Sequence, residues 1–397
     1  LEPSRSAGGS LTDLPHQGVV DRGRLIGLWD FDADEHLDRI EIIGTYHFDD
    51  PRHDPMVAAL TPVIASADAM LVEAGCTDSA AVWAAALMAS AAVAQAQTAL
   101  KWAHVYETSE PFHTESVWAA EEIAKRTDGR YKIDVFPASQ LGKENDLNQG
   151  LKMGTVDIII SGSSFQAREF PRIGVTYYPY IFRDPSHLIA YTKSDIYKTL
   201  TAGYEEKTGN HITATTYSGT RHTTTSDRQI KVCKDMEGLK IRVPDVPAYL
   251  AMPRACGANT TPIAFAEVYL ALQNGTVEAQ ENPLTAIDAK KFYEVQSHIS
   301  LTGHIVDALN TIVSKNVWSQ LSDQDKQIFT EVMLEAAERG TRIVEEREAA
   351  LVEDFRGRGL TVTEPDRADF QRTVQEKVAL SDFGYEQADY DAIKALK

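Results

Sequence analysis

From residue 98 onward the apolar positions switch repeatedly between a strand period and a helix period. A short apolar run over 100–105 reads as a strand, the amphipathic spacing over 114–126 as a helix, and Asp128-Gly129 turns the chain into a second strand over 131–136. A helix over 143–153 follows, and then an apolar run over 156–161 that suits a strand buried on both faces. Strands alternating with helices of about 10 to 15 residues predict parallel sheet covered by helices. The stretch 215–225 reads as a strand crossing to a second lobe, built from residues 230 to about 305, and 311–313 as a strand crossing back. Two lobes joined by crossing segments leave a cleft between them, a common place for a ligand.

The longest element starts at Ser322, whose spacing to Asp325 forms a capping box, and runs to about Arg356 before Gly357 and Gly359. Some 35 residues at about 1.5 Å each give roughly 50 Å, enough to bridge both lobes. Gly340, near the middle, is expected to allow a bend. The apolar positions keep no strict heptad, so a hinge-spanning helix is expected rather than a coiled coil.

Composition narrows the partners. The 397 residues carry 39 basic and 58 acidic side chains, a net charge of −19, and residues 1–96 contribute −10 of it. Both portions are acidic, which argues against nucleic acid, since phosphate binding needs clustered Lys and Arg. An alanine-dominated run over 80–94 is shorter than the roughly 20 residues of a membrane-spanning helix. Followed by Ala94-Gln95-Ala96, it reads as the apolar region of a signal peptide over 76–96, with the mature chain beginning at Gln97 and working in the periplasm. Glu73 and Asp78 stand where such a leader wants positive charge, and a buried alanine-rich helix is the competing reading. Of three cysteines, Cys76 falls in the leader, while Cys233 and Cys256 flank one strand and its following helix. They are either a disulfide or two buried thiols.

Arg242 is the cation that needs an explanation. It alternates with Ile241 and Val243 in a short apolar strand, so it must turn to solvent or meet an anion, because burying an unpaired guanidinium costs several kcal/mol. Arginine offers a planar fork matched to a carboxylate. Asn282, before Pro283, can donate to a carboxylate and accept from a hydroxyl. In the first lobe, His104, Glu107 and Ser163 lie in loops after strands, where parallel sheets place their cleft residues. Arg221 is a second cation to explain, and Tyr217 and, beside it, Ser218 flank the same crossing strand as further candidates for substrate binding. There is no G-x-S-x-G, P-loop, G-x-G-x-x-G or HExxH, and no Cys/His spacing for zinc, so neither catalysis nor a cofactor is expected.

Several blocks in order, PASQLG (137–142), LKMGTVD (151–157), GTRHTT (219–224), GLKIRVP (238–244), PIAFAEVYLALQ (262–273), QENP (280–283) and KKFYEVQ (290–296), resemble the extracytoplasmic solute receptors of TRAP transporters, in particular the sialic acid branch. The resemblance spans roughly residue 98 to the end. It implies an α/β, two-lobed periplasmic-binding-protein fold of type II-like form, with lobe I from 97–218 plus about 308–340 and lobe II from 219–307 plus about 341–397. It further implies that Arg242 forms a two-pronged salt bridge to a ligand carboxylate, that Asn282 supports it, that Arg221 is a second ligand-facing arginine, and that Phe265 packs on the ligand. The implied partners are a small carboxylate and the small and large TRAP membrane subunits, served by a monomeric receptor. Sialic acid receptors carry a glutamate and an arginine where this chain has Gly162 and Phe165. That departure turns the expectation toward a smaller sugar acid such as a uronate, with sialic acid, a keto acid or a dicarboxylate as alternatives and an enzyme acting on a sugar acid as a remote one.

Residues 1–75 do not fit that pattern. EIIGTYHFDDPRHDP and the stretch to Glu73 resemble the opening of the TraB/GumN family, cut short after one strand, helix and strand. His47, His53 and Glu73 hint at a metal site there, but the fragment lacks the residues to complete one.

Overall fold

A computed structural model describes residues 97–397 and, before them, three strands, β1 (His16–Asp21), β2 (Arg24–Asp30) and β3 (Ile42–Ile43), which pair antiparallel in the order β1-β2-β3. The chain divides into two compact units, Leu1–Gln95 and Ala96–Lys397. The signal-like segment, and His47, His53 and Glu73, lie outside the described residues.

In the second unit, β4 (Thr98–Ala103), β5 (Tyr131–Phe136) and β6 (Ile158–Gly162) form a parallel trio with β4 in the middle. β6 is buried at every position, as its apolar run requires. Two long strands follow in the sheet, β7 (His211–Thr225) and β11 (His298–Val313), antiparallel to each other. Beyond them β8 (Lys240–Val243), β9 (Asn259–Pro262) and β10 (Ala279–Pro283) form a second parallel trio centred on β8. Residues 309–313 of β11 pair with β6, residues 221–225 of β7 pair with β10, and β12 (Thr361–Thr363) pairs with the start of β11. Two parallel trios joined by two crossing strands are the two-lobed α/β fold expected.

The boundaries moved where periodicity could not see them. β11 is 16 residues long rather than three, because Thr302, His304, Asp307 and Asn310 interrupt its apolar pattern while all being buried. The first helix begins at Pro111, three residues early, with proline tolerated at a helix start. Cys233 and Cys256 are joined as a disulfide, with Cα atoms 4.9 Å apart, which ties the turn Cys233–Met236 to the end of the helix Pro247–Ala255.

The long helix runs unbroken from Asp323 to Gly357, capped by Ser322 Oγ, which accepts from Asp325 N. Its first half is held by Asp325, which accepts from Arg130 at 2.6 Å through both oxygens, and by Arg339 on Glu115. Its second half buries Leu351 and Phe355 with Val268, Leu272 and Phe292. Gly340 does not break it: a Cβ there would lie 3.2 Å from Thr216 Cγ2, so this glycine lets the helix lie against β7. The C-terminal helix Gln387–Lys394 returns to the first trio's side, where Asp389 accepts from Arg172 and Ile393 O faces His187.

Candidate functional site

The carboxyl ends of both parallel trios open onto one cavity of about 260 Å³. The first trio supplies Tyr106 and Glu110 after β4, Glu144 and Asn145 after β5, and Phe165 after β6. The second supplies Arg242 from β8, Ile263 and Phe265 after β9, and Asn282 from β10. Ser218 and Arg221 of β7 and Asp307 of β11 contribute from the crossing strands. This is where α/β sheets place their ligands, since loops after parallel strands converge there.

Arg242 is 2% exposed and has no carboxylate partner among the described residues. Its Nε and Nη2 donate to the carbonyl of Ile263 at 2.9 and 2.7 Å, which fixes one edge of the guanidinium. Nη1 is buried with no acceptor. Burial pulls the group down to about 10, with Glu281 opposing the shift and Arg221 adding to it. A neutral carbonyl orients this cation without neutralising it, and an unpaired buried donor costs about 1–3 kcal/mol until an acceptor arrives. The free end of the fork, Nη1 beside the outer N–H of Nη2, is the edge a carboxylate takes two-pronged.

Arg221 is different. Nε and Nη2 pair with both oxygens of Glu281 at 2.6 and 2.9 Å, Nη1 pairs with Asp307 Oδ2 at 2.7 Å, and the plane lies over Tyr249, 4.8 Å from the ring centroid. Burial opposes its charge, but Glu281 and Asp307 outweigh that and hold it protonated. Glu281 is pushed up by burial, yet Arg221 and His304 hold it down at about 2. Asp307 also accepts from Tyr177 Oη at 2.5 Å. Arg221 lines the cavity as the centre of a satisfied network. Asn282 belongs to that network as well: its Oδ1 accepts from Arg221 Nη2 at 3.0 Å and its Nδ2 donates to Gln280 at 2.6 Å.

Phe265 lines the cavity with Tyr106, their ring centroids 6.2 Å apart. The other four candidates do not line it. His104 is fully buried, faces His113 at 3.3 Å and accepts from Tyr106 N, and burial together with His113 pulls it down to about 3, leaving the ring neutral. Glu107 pairs with Lys290 at 2.7 Å. Ser163 accepts from Asn310 at 3.0 Å. Tyr217 points its hydroxyl at Glu348, and strand alternation sends its neighbour Ser218 to the cavity instead.

Residues that sequence reasoning missed are mostly acids. Glu110 and Glu144 line the cavity, and burial pushes their carboxyls up to about 8 and about 7. Glu281 and Asp307 are buried and needed a cation as much as Arg242 needed an anion; Asp307, between Ile305-Val306 and Ala308-Leu309, carried that signal in the sequence, whereas Glu281, between Gln280 and Asn282, did not. Gly162 has its own reason: a Cβ would collide with the Tyr177 hydroxyl, so no side chain reaches the cavity from that position. Among the described residues no group of three or more His, Cys, Asp or Glu could hold a metal ion, and no helix is long and apolar enough to cross a membrane.

A family model described as bacterial extracellular solute-binding protein, family 7, matches residues 102–382. The sialic acid-binding periplasmic protein of Vibrio cholerae is 34% identical over 288 residues, covering 72% of this chain and 89% of its own. A TRAP periplasmic solute-binding protein of a Polaromonas species, solved with D-erythronate, superposes with a TM-score of 0.72 at 31% identity, over 76% of this chain and 99% of its own. One from Roseobacter denitrificans, solved with L-galactonate, gives a TM-score of 0.70 at 31% identity over 76% and 98%.

Proposed function

Because the chain belongs to family 7 of the bacterial extracellular solute-binding proteins, the solute receptors of TRAP transporters, we propose that it captures a sugar acid, an aldonate or a uronate, through the free edge of Arg242. The observation that carries this reading is the buried Nη1 of Arg242, left without an acceptor in a cavity at the carboxyl ends of both trios. A ligand carboxylate would pair with that edge, and Phe265 and Phe165 would pack on its carbon chain. The bound acids of the Polaromonas and Roseobacter proteins support the class. The similarity to the Vibrio protein favours sialic acid instead, but Tyr177 blocks a side chain at 162 and Phe165 puts an apolar wall where that branch carries a cation.

We place the lobe boundary across β7 near 218 and across β11 near 308. The C-terminal segment from about 380 goes with lobe I, contrary to the expectation that it joins lobe II, because Arg172, Arg183 and His187 hold it there. Closure over the ligand requires the acid to favour the closed state. Asp245 reaches both Asn145 and Arg168, and Lys290 reaches Glu107, so side chains from the two trios already meet around the cavity. In this reading the protein works in the periplasm as a monomer, binds without turnover, and delivers its ligand to the membrane subunits.

The test is a thermal-shift panel of aldonates, uronates, sialic acid, keto acids and dicarboxylates on the full chain. A ligand at 100 times its Kd stabilises by about 2.7 kcal/mol. Sugar acids should raise Tm in the wild type and not in Arg242→Met. A panel in which only keto acids or dicarboxylates shift Tm refutes the class, and shifts that survive the substitution refute the role of Arg242.

A further inference from the structure

Glu110 occupies a position where a helix start favours Ser, Thr, Asp or Asn. Its carbonyl already accepts from His113 N and Thr114 N at the head of the helix Pro111–Arg126, yet its side chain caps nothing there. Oε2 turns back to accept from Glu107 N at 2.7 Å. Oε1 has no partner, although the residue is 0% exposed and lines the cavity. Neither nearby cation satisfies it, since Lys290 is bonded to Glu107 and Arg347 to Asp288 and Ser109 O. One residue thus breaks two local rules, as a poor cap and as a buried carboxyl with an orphaned oxygen, which is the pattern of a functional position. Asn145 Oδ1 and Ser218 Oγ, also buried and unpaired, line the same cavity.

Resting on the receptor reading above, we infer that Glu110 is a specificity residue that hydrogen-bonds a hydroxyl of the acid held by Arg242. A hydroxyl both donates and accepts, so it satisfies Oε1 whether or not the carboxyl carries its proton. A methylene at that place would leave Oε1 orphaned. Of the cavity's other cations, Arg221 is committed to Glu281 and Asp307 and Lys143 is exposed, so a second ligand carboxylate placed beside Glu110 would face Glu144 and Asp307 as well. At the Glu110 end the cavity therefore selects a hydroxylated chain over a second carboxylate.

The experiment is isothermal titration of the full chain with L-galactonate and with hexanoate, a six-carbon acid without hydroxyls. The wild type should prefer L-galactonate. Glu110→Leu should weaken L-galactonate by about 10- to 100-fold while leaving hexanoate unchanged or tighter. Glu110→Gln, which keeps shape and polarity, should recover most of the loss, and equal Tm values for the two variants exclude a folding effect. If Glu110→Leu changes neither acid, or both equally, the inference fails while the receptor reading stands, provided Arg242→Met abolishes L-galactonate binding. A wild type that binds neither acid, or both alike, overturns the inference as well.

Discussion

Replacing Arg221 and Arg242 in turn by methionine separates a cation that holds the fold from one that awaits a ligand. Arg221 sits between Glu281 and Asp307, and these two carboxylates are 0% and 3% exposed. Removing it strands both, and breaking a buried ion pair from one side costs about 3–5 kcal/mol. At about 2 °C of Tm per kcal/mol for a large domain, Arg221→Met should melt about 6–10 °C below wild type. Arg242 has no such partner. Burial lowers it from 12.5 to about 10, so the charged form is disfavoured by roughly 3 kcal/mol. Methionine removes that cost and leaves one unpaired carbonyl, Ile263 O, so the two effects largely cancel. The unliganded Arg242→Met protein should melt within about 3 °C of wild type, on the same Tm scale. Adding a sugar acid should then raise Tm in the wild type and leave Arg242→Met where it was. Calorimetry with and without ligand reads all of this. The reasoning fails if Arg242→Met loses as much stability as Arg221→Met, or if Arg221→Met melts with the wild type.

Three further outcomes follow from the same geometry. Gly340→Val would press a branched side chain against Thr216, whose Cγ2 lies 3.2 Å from the position of a Cβ, and should cost about 1–3 kcal/mol in urea unfolding; an unchanged midpoint would show that the helix shifts freely on β7. Reducing the Cys233–Cys256 bond, which spans 23 residues of sequence, should lower stability by about 3 kcal/mol, read as a fall in Tm with reductant that Cys233→Ser/Cys256→Ser reproduces without it. Glu110 and Glu348 have carboxyls raised to about 8 and about 7, burial being the first cause in each. A raised acid favours the fold below its unfolded value near 4.5 and loses that contribution as pH climbs through the folded value, so the unliganded protein should lose stability between about pH 5 and 8. Glu110→Gln and Glu348→Gln should each flatten that slope, and a slope unchanged in both would contradict burial as the cause of these raised carboxyls.

The parallel trios were legible because each strand is short, apolar and followed by an amphipathic helix. The crossing strands were legible only in part. β7 was found from 215 and β11 only at 311–313, since buried Thr, His, Asp and Asn erase the hydrophobic signal while lying inside a polar network. Arg242 could be read from one strand, because a lone cation among Ile241 and Val243 poses a question that sequence alone can state. The partition of roles could not. Arg221 and Asn282 look like ligand residues until Glu281, from the neighbouring strand β10, claims Arg221, and Arg221 and Gln280 claim Asn282. Glu110 was hidden by the assumption that the helix began at 114, which left it in a loop. The turning of Tyr217 to the long helix and Ser218 to the cavity depends on one step of strand register, finer than the pattern resolves. The disulfide was open on sequence because two cysteines flanking a strand and helix suit either state.

A crystal structure of the full chain with the best-binding sugar acid tests the account most directly. The account expects the ligand carboxylate on Arg242, with one oxygen within about 3 Å of Nη1, and Arg221 still paired with Glu281 and Asp307. A carboxylate bound elsewhere in the cavity, with Nη1 of Arg242 still unpaired or facing only a hydroxyl, would contradict it.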